Sequence, residues 1–121
     1  MKFLWTTLQV KDVDASVAFY QNVVGLTMSR RQGQPGVHEI AFMTDGGDVL
    51  VELCQAHGLP EGAPLGVGAS MGFATNDAQA KWEELKAAGY DPSPIVSPAP
   101  VIKFFFVKDP DGYSVQIAEQ K

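Results

Sequence analysis

Phe104-Phe105-Phe106-Val107-Lys108-Asp109-Pro110-Asp111-Gly112-Tyr113-Ser114-Val115-Gln116-Ile117 is the stretch from which the fold can be read. An apolar run meets Asp-Pro-Asp-Gly, and a second run alternates Tyr113, Val115 and Ile117 against Ser114, Gln116 and Ala118. A type I turn favours Asp at its first position, Pro at its second and Gly at its fourth. Aromatic and β-branched residues on both arms complete the pattern of a β-hairpin. A calcium loop is the competing reading of Asp109-x-Asp111-Gly112. That loop needs Gly at its sixth position and Glu at its twelfth, where this chain has Ser114 and Gln120. The two aspartates are read as turn formers.

The hairpin occurs twice. A shift of 64 residues brings Ile40 to Leu53 beneath it, with Asp45 under Asp109, Val51 under Val115, Glu52 under Gln116 and Leu53 under Ile117. A repeat so long and in so few copies is no solenoid; it implies two copies of one folding unit. Working outward, residues 3–10 alternate Leu4, Thr6, Leu8 and Val10 against Trp5, Thr7 and Gln9, which predicts a strand. Asp12 or Asp14 then caps a helix whose apolar face is Val13, Val17, Tyr20 and Val24, and Gly25 stops it. The second half replays this order: a strand over 70–75, a cap at Asn76 or Asp77, a helix face of Ala78, Trp82 and Leu85, and a stop at Gly89. Each half reads β-α-β-β, with room for one further short strand at 27–36 or 91–100. The expected class is α+β in a single domain, 1–121: module 1 at about 1–55, a Gly- and Pro-rich connector at about 56–68, and module 2 at about 69–121.

Composition narrows the function classes. With 45% apolar and 19% charged residues the chain has the make-up of a soluble globular domain. A formal charge of −5 without a basic stripe argues against a nucleic-acid partner. No apolar run approaches the roughly 20 residues of a bilayer span, so no membrane association is expected. Met1-Lys2-Phe3-Leu4-Trp5 runs straight into strand alternation without an apolar signal segment. Cys54 is the single cysteine, so no internal disulfide forms, and a reducing cytoplasm is the expected location.

Strand parity then suggests where function sits. The more apolar parity of each last strand (Val49, Val51, Leu53; Tyr113, Val115, Ile117) should face the helices. Leu50, Glu52 and Cys54, and Ser114, Gln116 and Ala118, then face away, joined by Trp5, Thr7 and Gln9 and by Ser70, Gly72 and Ala74. Such a mixture of small, polar and aromatic side chains suits a lined cavity. On the preceding arms both parities are apolar. Here Ile40, Phe42, Phe104 and Phe106 are placed under the helices, and Glu39, Ala41, Met43, Lys103 and Phe105 in the cavity.

The chain resembles the glyoxalase / bleomycin-resistance / extradiol-dioxygenase group, the vicinal oxygen chelate superfamily. The likeness rests on Val10-x-Asp12-x-Asp14-x-Ser16-x-x-Phe19-Tyr20 with Gly25-Leu26, and on Phe106-x-x-Asp109-Pro110-Asp111-Gly112-Tyr113, and covers nearly the whole chain. It implies tandem βαβββ modules whose curved mixed sheets surround a cleft, helices on the outer face, and assembly as a homodimer. It also implies a divalent metal held by one residue from each leading strand and one from each last strand. Carried over, those positions are Trp5, Glu52, Ser70 and Gln116, of which only Glu52 is a strong ligand. His38 and His57 lack ligand spacing and read as a strand end and a connector residue. No metal site and no other cofactor are expected.

These residues point instead to an organic ligand. Trp5 supplies a flat wall able to stack on a ring. If enclosed by Trp5, Leu50 and Met43, the Glu52 carboxylate calls for a cationic partner, either Lys103 or a basic group on the ligand; the equal alternative makes Glu52 a partly solvated rim carboxylate and Lys103 a surface residue. The ligand-binding set is therefore Trp5, Thr7, Glu39, Met43, Leu50, Glu52, Ser70, Lys103, Phe105 and Gln116. The leading function is metal-independent binding of a small organic molecule, as in the antibiotic-sequestering members. The alternative is a glyoxalase-like lyase or isomerase, or a dioxygenase, with Glu52 as catalytic base or residual metal ligand.

Overall fold

The structure, a computed structural model, describes residues 1–120. The chain forms two compact units that divide between Leu65 and Gly66, inside the Gly- and Pro-rich connector. No helix among the described residues is long and apolar enough to cross a membrane.

The first unit opens with β1 (Trp5–Val10) and α1 (Val13–Phe19), whose end widens into a π turn at Tyr20–Val24. Strands β2 (Thr27–Gln34), β3 (His38–Thr44) and β4 (Leu50–Gln55) follow. Asp12 is the cap, its backbone extended and its carboxylate accepting the Ala15 N–H at 3.2 Å. Gly25 ends the helical run at φ 84°, a left-handed geometry that a side chain would disfavour. The strands lie in the order β1-β4-β3-β2; β1 runs parallel to β4 and the other pairs are antiparallel.

The second unit repeats the plan with β5 (Ser70–Ala74), α2 (Ala78–Ala87), β6 (Val96–Ala99), β7 (Ile102–Lys108) and β8 (Ser114–Gln120), in the order β5-β8-β7-β6. Asp77 caps α2 by accepting the Ala80 N–H at 3.0 Å. The Asp109 carbonyl accepts the Gly112 N–H at 3.0 Å, closing the turn expected from Asp-Pro-Asp-Gly. One carboxylate oxygen of Asp109 also accepts the N–H groups of Asp111 and Tyr113 at 2.9 Å, so this side chain serves the turn. Both modules are thus βαβββ, and the spare loop segments both hold strands. β2 is eight residues long and exposed throughout, which is why no apolar alternation announces it. β6 has only four residues, because Pro92 and Pro94 just before it have no N–H to offer an edge.

Each helix covers one face of its own sheet, α1 on β3 and β4, α2 on β7 and β8. Val51, Leu53, Val115 and Ile117 are buried there, as their parity predicts. Val49 precedes β4 and is exposed, and Tyr113 precedes β8. The preceding arms are the reverse of the expectation. Directly opposed residues of antiparallel strands share a face. Ala41 opposes Leu53, Met43 opposes Val51, Phe105 opposes Ile117 and Lys103 opposes Glu119, so all four lie on the helix side. Ile40, Phe42, Phe104 and Phe106 oppose Cys54, Glu52, Ala118 and Gln116 and occupy the open side. With apolar residues on both parities of β3 and β7, only the register to the next strand decides.

Candidate functional site

Register sets the open side of the first sheet residue by residue. Thr7 stands opposite Glu52, Glu52 opposite Phe42, and Phe42 opposite Arg30, giving one row across β1, β4, β3 and β2. The Thr7 hydroxyl donates to Glu52 Oε1 at 2.6 Å, and among the described residues Oε2 accepts no hydrogen bond. The Arg30 guanidinium lies over the Phe42 ring, its carbon 4.4 Å from the centroid, and among the described residues no carboxylate pairs with it. Trp5 meets the same ring edge-on, centroids 5.5 Å apart and planes at 71°. Phe42 is 2% exposed between these neighbours, whereas Trp5 is 39% exposed. Phe42 is thus covered, and of this group the aromatic side chain that solvent reaches is Trp5.

Cys54 shares this side with Glu52. Burial pushes its thiol upward, with a smaller push from the Glu52 charge, so it is a poor thiolate nucleophile or metal ligand at neutral pH. On the open side of the second sheet the corresponding row is Gly72, Gln116 and Phe106, with Ser70 one step along β5. Phe104 and Phe106 pack edge-to-face at 5.8 Å. This surface carries no charge in its row.

Four expected site residues lie elsewhere. Glu39 is 8% exposed and accepts Arg31 Nε at 2.8 Å, while the same guanidinium reaches Asp14 at 2.6 Å. That ion pair ties β2 and β3 to α1. Met43 and Phe105 are core residues with no exposure. Lys103 is exposed on the helix side opposite Glu119, which itself accepts the Ala78 N–H at the start of α2. Trp5, Thr7, Leu50 and Glu52 are on the open side of the first sheet, and Ser70 and Gln116 on that of the second. Phe42 and Arg30 are the members that sequence reasoning missed. Phe42 was recoverable from the hairpin register; Arg30 was not, because β2 was not recognised as a long strand.

The residues at the family's metal positions do not fit a divalent ion. The Trp5 indole has no lone pair to donate, and its ring is packed on Phe42. Glu52 has one oxygen engaged by Thr7, and Ser70 and Gln116 offer only neutral oxygens. A catalytic zinc or nickel site needs about three imidazole or anionic ligands. The rings of His38 and His57 approach to 5.8 Å, but among the described residues no group of three His, Cys, Asp or Glu side chains is placed to hold a metal. Two cavities of about 500 Å³ lie away from the row. One adjoins the paired Arg31 and Glu39; the other adjoins Pro92, Pro94 and Lys108, where the prolines interrupt the edge strand.

Comparison with known proteins places this fold and site in context. The Glyoxalase/Bleomycin resistance protein/Dioxygenase superfamily profile matches residues 2–117. A lactoylglutathione lyase of Haemophilus influenzae is 30% identical over 129 residues, covering 100% of this chain and 94% of that protein. A probable lactoylglutathione lyase of Vibrio cholerae is 28% identical over 128 residues, covering 99% and 91%. Among solved structures, an antibiotic binding protein from Streptomyces sp. CB03234 superposes with a TM-score of 0.79 at 21% identity, covering 100% and 97% of the two chains. The trypanothione-dependent glyoxalase I of Leishmania major does so with a TM-score of 0.76 at 21% identity, covering 98% and 86%. At these identities the structures speak for the fold, and the profile for the family. The chain belongs to the Glyoxalase/Bleomycin resistance protein/Dioxygenase superfamily.

Proposed function

We propose that this protein binds a small organic molecule on the open side of its first sheet, without a resident metal ion. The observation that carries this reading is the row Thr7, Glu52, Phe42 and Arg30 beside the exposed Trp5. An exposed indole beside the open Oε2 of Glu52 and, among the described residues, an Arg30 without a carboxylate partner suits a ligand-binding surface. The similarity in fold to an antibiotic binding protein supports the reading by analogy. Ser70 and Gln116, beside Phe104 and Phe106, form an uncharged counterpart on the second sheet and are assigned a ligand-contacting role there. The protein is proposed to act as a cytoplasmic homodimer, and the lone free Cys54 suits a reducing compartment.

The test is thermal unfolding against a panel of aromatic compounds in the presence of chelator. A ligand at about one hundred times its Kd stabilises by about 2.7 kcal/mol, which raises the midpoint by several degrees in a domain of this size. Trp5→Ala and Glu52→Ala are expected to abolish the shift. Unchanged shifts in both variants would remove the site from this face.

A second reading is favoured by the curated relatives, lactoylglutathione lyases matched over the whole chain. In it Glu52, oriented by Thr7 and with Oε2 open, removes a proton next to a substrate carbonyl. Glu52→Gln would then abolish turnover and leave binding intact. Retained turnover in that variant takes Glu52 out of the chemistry.

A further inference from the structure

We infer that the second unit holds a separate binding site for a small carboxylate with an apolar body, where the outer edge of β7 runs out of partners. This site is independent of the ligand face proposed for the first sheet.

Backbone alternation makes the site. Along an antiparallel strand, successive residues direct their N–H and C=O groups to opposite neighbours. The Asp109 N–H donates to the Tyr113 carbonyl at 2.9 Å, which assigns the odd positions of this arm to β8. The even positions face the outer edge. There Val96 of β6 pairs with Phe104, and Ser93 engages both backbone groups of Phe106 at 2.8 Å. Lys108 is the next even position, and among the described residues its N–H has no partner. The chain that would continue the edge is still leaving α2: the N–H groups of Gly89 and Tyr90 donate to the carbonyls of Lys86 and Leu85. Between this loop and the end of β7 lies a cavity of about 500 Å³, a volume that suits a small molecule.

Pro92, Pro94 and the half-buried Phe106 give the cavity apolar walls. Lys108 and Ser114 line it too; they oppose each other in the ladder and so share a face. Among the described residues neither the Lys108 ammonium nor the Ser114 hydroxyl has a partner. Asp91 is a further lining residue, but its carboxylate is almost wholly exposed and pairs with Lys86 at 3.6 Å. The unpaired charge at the cavity is therefore a cation, accompanied by a backbone N–H and a hydroxyl. A carboxylate can accept from all three. An amine would meet Lys108 as a like charge, and a neutral apolar molecule would strip water from it and give nothing back.

The experiment titrates the isotope-labelled full chain with phenylacetate, phenylacetamide and phenethylamine and follows the backbone amide shifts. Phenylacetate is expected to bind about ten-fold or more tighter than its amide, with the amine weakest of the three. The amide signals of Lys108, Ser93 and Ser114 should move on saturation. Lys108 is exposed at the strand end, so Lys108→Met should fold as the parent does. Its affinity for phenylacetate should drop to that of the amide, and Lys108→Arg should keep most of the preference. Equal affinities for acid and amide would overturn the inference, as would no binding of phenylacetate. Undiminished phenylacetate binding in Lys108→Met, or binding lost in Trp5→Ala instead, would remove the acid from this cavity. None of these failures bears on the face of the first sheet, which the Trp5 and Glu52 variants test separately.

Discussion

Arg31 shows how much one side chain can carry in a small module. It bridges the nearly buried Glu39 at 2.8 Å and the exposed Asp14 at 2.6 Å, and the two contacts differ in worth. Removing the cation leaves Glu39 under α1 with no partner, and uncompensated buried charges are costly. Arg31→Met should lower stability by about 2–3 kcal/mol, and replacing Glu39 with Met as well should recover much of it. Asp14→Asn, at the solvent end, should change stability by less than about 0.5 kcal/mol. Urea unfolding of the three variants reads all these values, and equal losses in Arg31→Met and Asp14→Asn would refute the assignment. Glu39 was placed in the cavity from sequence because its strand gives no parity signal; only its partners reveal its side.

Cys54 carries the pH prediction at this scale. Burial, and secondarily the Glu52 charge, hold its thiol above the ordinary range of about 8.5. The reactive form is the thiolate, so reactivity toward a disulfide reagent should still be climbing with pH where an unperturbed thiol has levelled off. Glu52→Gln removes the lesser cause and should move the profile part of the way down. A profile that levels off in the ordinary thiol range would contradict this environment for Cys54.

At the scale of elements, the hairpins, both helices, their caps and their glycine stops were legible because each has a local chemical cause. Asp12 and Asp77 reach back to N–H groups three residues on, and Asp-Pro-Asp-Gly closes its own turn. The edge strands were not legible, since an edge owes its pairing to a neighbour. β2 is polar and exposed yet pairs along its length with β3, past a bulge between Met28 and Arg30. On the other sheet Ser93 extends the pairing of β7 beyond the short β6. Its N–H donates to the Phe106 carbonyl at 2.8 Å, its hydroxyl accepts the Phe106 N–H at 2.8 Å, and its carbonyl takes the Trp82 indole N–H at 2.8 Å. Ser93→Ala leaves a half-buried N–H without its acceptor and should cost about 1–2 kcal/mol. Amide exchange should show the loosening as faster exchange at Phe106 than at Val115, and unaltered protection at Phe106 would mean the serine is dispensable.

For the molecule as a whole, the doubled hairpin made the family legible, but not the chemistry. Both modules keep the same strand order, but their open sides have diverged, one to a charged row and the other to a neutral one. The positions where relatives of the lyase type would hold a metal have an indole, one carboxylate, a hydroxyl and an amide. The most direct test of the central claim is metal stoichiometry on untagged protein dialysed separately against zinc, nickel, manganese and ferrous iron. The account expects less than about a tenth of an ion per subunit in every case. One full equivalent of any of them, lost again in Glu52→Ala, would contradict it and return this chain to the metal-dependent enzymes.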